Sequence, residues 1–352
     1  MKRIILIAAA GLMGLAACNS LTAPDAQPGE GSLSVSVRSG AVTKADTTPA
    51  GNDAVVNDIQ LFLFSQDGSL YRKETMTGQE TNRTFDRVKA GSYDIVALVN
   101  APELTAVNRK AELDEAEINL GFNDLEKGFL MAGQTASSVT VTGGAASPAR
   151  AEITVRRHVG RVRLTTVQNG IPAAYGALKI DYAFLENGFG TWNYGGTGDP
   201  SGYVNYAGRK AGRNTSANAA DFIAVAADAD YPELTFRALA RTVAQGETET
   251  FNIPFYSLPN KHTVATDNFT GATSGDACAR LVVKATYGEG ATQSWYYPVT
   301  LENLERNKTY DVSFIIRGPG SPDPNLGVES GNLEVIITVE PWGDGGDFTG
   351  EF

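Results

Sequence analysis

The chain has 352 residues and 42% hydrophobic content, enough for two packed domains and too much for wholesale disorder. Its net charge of -11, without a long basic stripe, excludes nucleic acid as a partner, since nothing is left to neutralise a phosphate backbone. Gly 38 and Pro 15, with 13 Tyr and 15 Phe and few charge-rich amphipathic stretches, point to short strands and turns and exclude a coiled coil.

Lys2 and Arg3 precede an apolar run from Ile4 to Ala17 that closes on Leu15-Ala16-Ala17-Cys18. A helix that spans a bilayer needs about 20 apolar residues, so the run reads as a cleaved signal. The small residues before Cys18 resemble the lipobox of bacterial lipoproteins. That resemblance implies an acylated Cys18 as the new amino terminus and a lipid tether to a membrane. Only Cys278 then remains, beside Leu281, Val282 and Val283; it has no disulfide partner and reads as a small core residue.

Residues 19–31 are polar and contain Pro24 and Pro28, as a linker does. Leu33, Val35 and Val37 then alternate with serines, the pattern of a half-buried strand, bounded by Ser39-Gly40 and a second polar stretch from Thr43 to Asp53. Further apolar or alternating runs follow at 59–64, 93–99, 139–141, 153–155, 159–164, 178–184, 222–225, 234–239, 281–285, 295–299, 310–316 and 333–339. This inventory is all-β. The exception is Leu104 to Leu120, which permits a helical turn or two without a clean apolar stripe. Gly143-Gly144 to Pro148 is the main break in mid-chain, and the boundary between two closely joined sandwiches is expected near His158.

Catalytic and metal signatures are missing. The two histidines, His158 and His262, have no ligand-spaced neighbours, and no nucleophile elbow, phosphate loop, dinucleotide fingerprint or calcium loop occurs. No enzyme, metal or cofactor is expected. Arg156, Arg157, Arg161 and Arg163 alternate with apolar residues and read as the solvated basic face of a strand, with a binding role for these arginines as the alternative. Trp192, Tyr194 and Tyr203 lie in a glycine-rich segment. They either pack on their own loop or form an exposed platform for sugar rings, which would make the chain a surface glycan-binding lipoprotein.

Several strings in order resemble the fimbrillins, the type V pilus subunits of Bacteroidales. They are Tyr93-Asp-Ile-Val-Ala-Leu-Val-Asn100, Leu130-Met-Ala-Gly133, Ile153 to Leu164, Arg306-Asn-Lys-Thr-Tyr310, Arg317-Gly-Pro-Gly320, and Leu333 to Trp342. The resemblance spans nearly the whole chain. It implies two transthyretin-like β-sandwich domains with a removable first strand. Residues 1–18 are then the signal peptide and lipobox, 19–44 the linker and removable strand, 45–158 the first sandwich, and 159–352 the second with a donor segment.

The resemblance also implies an outer-membrane lipoprotein precursor that a trypsin-like protease trims after Lys44, or alternatively after Arg38. The strand carrying Leu33, Val35 and Val37 leaves, and the carboxy-terminal segment of another subunit fills the groove. The product is a cell-surface fimbrium that supports adhesion to host or bacterial receptors. Stalk subunits of the family continue past Pro-Trp with apolar alternation, whereas this chain continues with Gly343-Asp-Gly-Gly-Asp-Phe348-Thr-Gly-Glu-Phe352. Only Phe348 and Phe352, on one parity, are left to plug a groove, so a tip or accessory subunit is the alternative to a stalk subunit. The cleavable Lys44 loop argues against an anchor.

Overall fold

Alternating side chains place most of the chain in strands in the computed structural model, which describes residues 29–39, 55–77, 80–205, 226–262, 278–288, 293–324 and 327–342. Cys18, Lys44, Phe348 and Phe352, and the strand anticipated at 222–225, lie outside the described residues.

In the first half the elements are β1 (Glu30–Ser39), β2 (Asp58–Ser65), β3 (Leu70–Thr77), β4 (Asn82–Lys89), β5 (Gly91–Val99), α1 (Lys110–Glu115), β6 (Glu117–Asn119), β7 (Met131–Gln134), β8 (Val139–Val141) and β9 (Ala149–Arg157). Apart from β6 the strands form one eight-stranded sheet, in the order β3-β2-β5-β7-β9-β1-β4 with β8 also on β5. The sheet folds over until its end strands face each other. Arg83 of β4 donates to Glu74 of β3 at 2.8 Å, Arg72 donates to the Asp86 carbonyl at 3.1 Å, and the Lys89 amide donates to the Tyr71 hydroxyl at 3.0 Å. Enclosed between the layers are Leu33, Val35, Leu61, Leu63, Phe85 and Ile95, all buried. The helical stretch anticipated over 104–120 shrinks to α1, which buries only Leu113 and whose Glu112 carboxylate accepts from the Asn108 and Arg109 amides.

The second half contributes β10 (Gly160–Asn169), β11 (Leu178–Glu186), β12 (Gly188–Asn193), β13 (Ser201–Val204), α2 (Pro232–Thr235), β14 (Phe236–Val243), β15 (Thr248–Ser257), β16 (Ala279–Tyr287), β17 (Gln293–Leu301), β18 (Lys308–Ile316) and β19 (Leu333–Pro341). Two four-stranded sheets, β15-β10-β18-β19 and β14-β11-β16-β17, pack over Val162, Leu164, Phe255, Leu281, Val312 and Phe314. The chain passes from one sandwich to the other at His158-Val159, between β9 and β10. The small sheet β13-β12-β6 takes strands from both halves.

A shared core fills the junction. Phe62, Leu98, Phe129 and Val159 meet Trp192, Tyr256, Leu258 and Trp342 there. Trp342 is fully buried, with Phe129 and Tyr256 rings at 5.4 and 5.6 Å and the Arg157 and Arg161 guanidiniums over its ring at 4.6 and 4.7 Å. This corrects the expectation of a solvated basic face. Arg157 takes the inward parity of Ile153 and Val155, Arg161 reaches Thr309 at 3.1 Å, and Arg163 forks onto both carboxylate oxygens of Asp311 at 2.7 and 2.6 Å. Of the four arginines only Arg156 is exposed.

His158 is fully buried, edge-on to the rings of Trp192 and Tyr194, and neither ring nitrogen has a hydrogen-bond partner. Burial, and secondarily the Arg306 charge, push its pKa down to about 3. The unfolded chain takes up that proton near pH 6.5, so the neutral histidine contributes stability above that pH that is lost as pH falls toward 3. Between pH 7 and pH 5 the wild type should therefore lose about 2 kcal/mol more than His158→Phe. Paired urea titrations at the two pH values measure this difference. Equal losses would show that His158 protonates freely in the folded protein.

Candidate functional site

Gly29 and Glu30 start β1 with backbone bonds to Ala90 and Gly144, and Gly31 lets the strand pass close under the Thr142 carbonyl, where an added Cβ would lie at 2.5 Å. From there β1 runs antiparallel to β4, pairing Leu33 with Phe85 and Val35 with Arg83. Along its other side it runs parallel to β9, from Leu33 with Ala149 to Ser39 with Val155. The first described strand of the chain is thus an interior strand, not the edge of its sheet.

Alternation assigns each β1 side chain its surroundings. Leu33, Val35 and Val37 are 0%, 0% and 1% exposed and share a core with Leu61, Phe85 and Ile95. Their burial contributes roughly 4.5 to 9 kcal/mol at most, counting about 1.5 to 3 kcal/mol for each. Ser32, Ser34 and Ser36 take the opposite, half-buried face. Arg38 is exposed and pairs with Glu152 at 3.0 Å, but its backbone is still in register with Thr154 of β9. A protease needs an extended free segment, so a cut after Arg38 requires the end of β1 to peel away first.

Among the described residues β4 has no ladder partner except β1. Taking β1 out would leave two unpaired walls, β4 and β9, around an apolar floor. The two walls are antiparallel to each other, so an incoming strand bonds parallel to one and antiparallel to the other; β1 itself runs parallel to β9 and antiparallel to β4.

A second feature, an exposed apolar edge, was not singled out from the sequence. The edge strand β19 has β18 as its one ladder partner among the described residues, and it carries Ile336, Ile337 and Val339 at 54%, 41% and 48% exposure. Leu333 and Val335 pack on the second sandwich, but the later residues of the strand do not. An apolar, one-sided edge is a template for another chain. The apolar run was legible; its exposure was not, because buried and bare edge strands share one composition.

The aromatic platform is not formed. Trp192 and Tyr194 are 7% and 6% exposed, and the Trp192 indole donates to the carbonyls of Thr197 and Gly198. Tyr203 stacks on Phe189 at 4.6 Å. The junction core consumes these ring faces, so none remains open for a sugar. Among the described residues no group of three His, Cys, Asp or Glu is placed to hold a metal ion. Cys278 is buried, with its thiol 3.2 Å from the His262 carbonyl.

A family model described as fimbrillin-A associated anchor proteins Mfa1 and Mfa2 matches residues 24–344. No curated protein matches the chain in sequence. Among solved structures it is similar to a fimbrilin from Porphyromonas gingivalis W83, with 14% identity over 90% of this chain and 98% of that one and a TM-score of 0.61. A candidate cell adhesion protein from Parabacteroides distasonis ATCC 8503 gives 19% identity over 89% and 100%, with a TM-score of 0.59. The tip fimbrial protein Mfa3 from Porphyromonas gingivalis gives 12% identity over 88% and 100%, with a TM-score of 0.51. At these identities the likeness is one of fold, a pair of β-sandwiches.

Proposed function

The chain belongs to the family of fimbrillin-A associated anchor proteins Mfa1 and Mfa2, a family of fimbrial structural proteins, and on that premise we propose that it is a fimbrial subunit assembled by strand exchange. It is delivered as a lipoprotein through Cys18 and held inert while its own β1 fills the groove. A trypsin-like protease then cuts after Lys44, β1 leaves, and a segment of a second fimbrillin subunit enters parallel to β9. The observation that carries this reading is β1 itself, the first described strand of the chain yet enclosed between β4 and β9, with a basic residue placed just beyond it.

Energetics favour a donor that begins after Trp342. Drawing β19 out as well would drag Trp342 from its arginine and aromatic contacts, at a cost of about 3 to 5 kcal/mol. A donor confined to the sequence beyond Trp342, where Phe348 and Phe352 lie, leaves those contacts in place. The exposed edge of β19 then serves as a lateral contact between neighbouring subunits.

Trypsin treatment of the folded protein tests the scheme. Cleavage should be confined to the segment between Val37 and Gly51, the new amino terminus should be Ala45, and the product should form multimers in size-exclusion chromatography. Cuts scattered through the sandwiches, or a trimmed protein that stays monomeric at high concentration, would overturn the scheme.

A further inference from the structure

On the outer side of the junction lies a half-open groove of about 570 Å³ between α1, the outward face of β9, the end of β12 and the β17–β18 connection. Its charged lining is unevenly matched. Lys110 is neutralised by Asp114 at 2.7 Å, and Glu152 by Arg38 at 3.0 Å. Arg156 and Arg306 also line it, and among the described residues neither has a carboxylate partner. They face the groove from different sandwiches.

Arg306 is held in place by the Trp192 ring, 5.7 Å from its guanidinium, and by Gly196, where an added Cβ would lie 3.0 Å from its Nη1. This packing explains the position of Arg306 but leaves the second cation unexplained. Like charges brought together without a counter-charge cost free energy; burial first, and then the Arg156 charge, lower the hold of Arg306 on its proton. Guanidinium pairs of this kind fit a planar carboxylate. The remaining lining is neutral and hydrogen-bonding, with Gln134, Thr154 and Thr197 beside short apolar side chains such as Ala132. One anionic group flanked by hydroxyls is the complementary ligand, and the volume suits a sugar ring or two better than a folded partner.

We propose that this groove binds a carboxylate-bearing monosaccharide unit, its carboxylate bridging Arg156 and Arg306 and its hydroxyls facing Gln134, Thr154 and Thr197. The site differs from an aromatic platform: it selects by charge, and it spans both sandwiches.

Calorimetric titration of the intact chain with glucuronic acid and with N-acetylneuraminic acid tests the assignment, with galactose and inorganic phosphate as comparators. At least one acid should bind saturably, weaken as salt is raised, and lose tenfold or more in affinity in both Arg156→Gln and Arg306→Gln. Arg241→Gln, at an arginine of β14 paired with Glu249, should bind as the wild type does. Arg156 is exposed, so its variant keeps the fold and is the decisive one. Unchanged affinity in Arg156→Gln, flat titrations with both acids, or phosphate binding as tightly as the sugar acids would each overturn the proposal.

Discussion

Trp342→Ala should lower the unfolding free energy by about 3 to 5 kcal/mol, the range for truncating a fully buried large side chain. The loss has a second component here, because the cavity would leave the Arg157 and Arg161 guanidiniums facing empty space instead of an aromatic ring. Trp342→Phe keeps the contacts with Phe129 and Tyr256 and removes a buried indole N–H that has no partner, so it should cost only about 1 to 2 kcal/mol. The side chain also ties the end of β19 to the junction core through its contacts with the Phe129 and Tyr256 rings, which the alanine variant loses although it keeps the backbone amide bond to the Asn307 carbonyl at 2.9 Å. The alanine variant should therefore unfold in two calorimetric steps where the wild type unfolds in one. A single transition at the wild-type temperature would show that the junction is held elsewhere.

The limits of sequence reading follow from what alternation encodes. Leu33, Val35 and Val37 announced a strand with one apolar face, and β1 has that face. The same pattern in Arg156 to Arg163 pointed the arginines outward, yet Arg157 and Arg161 are inside, because their charge is spread over a Trp342 ring nearly two hundred positions away that alternation cannot register. β3 and β4 passed unnoticed since each buries only one or two side chains, Met76 in one and Phe85 and Val88 in the other. Trp192 and Tyr194 were as compatible with a platform as with a core until β6 and β12 closed the junction around them. For the site, the strand was legible. Its neighbours, its parallel pairing with β9 and its interior place in the sheet were not, since these depend on contacts with no local signature.

Val35→Asp is expected to destabilise the uncut protein by about 3 to 5 kcal/mol, because a carboxylate at a 0% exposed position sheds its hydration to sit in the core of Leu61, Phe85 and Ile95. Ser36→Asp, one residue on and on the opposite face, should cost about 1 kcal/mol or less. The asymmetry matters for assembly. If β1 is a detachable insert, the penalty falls on its docking and not on the rest of the sandwich. The Val35→Asp protein should then keep its β-sheet circular dichroism while taking up a synthetic Glu30–Ser39 peptide, followed by fluorescence anisotropy. Residue order sharpens the test. The groove fits β1 with Gly31 under the Thr142 carbonyl and Leu33 opposite Phe85, a match that the same ten residues in reverse order lose, so the reversed peptide should not bind. Uptake of the reversed peptide would mean that the walls accept any apolar strand. Wholesale unfolding of Val35→Asp with no rescue by the native peptide would mean that β1 is part of the folding core and cannot be exchanged.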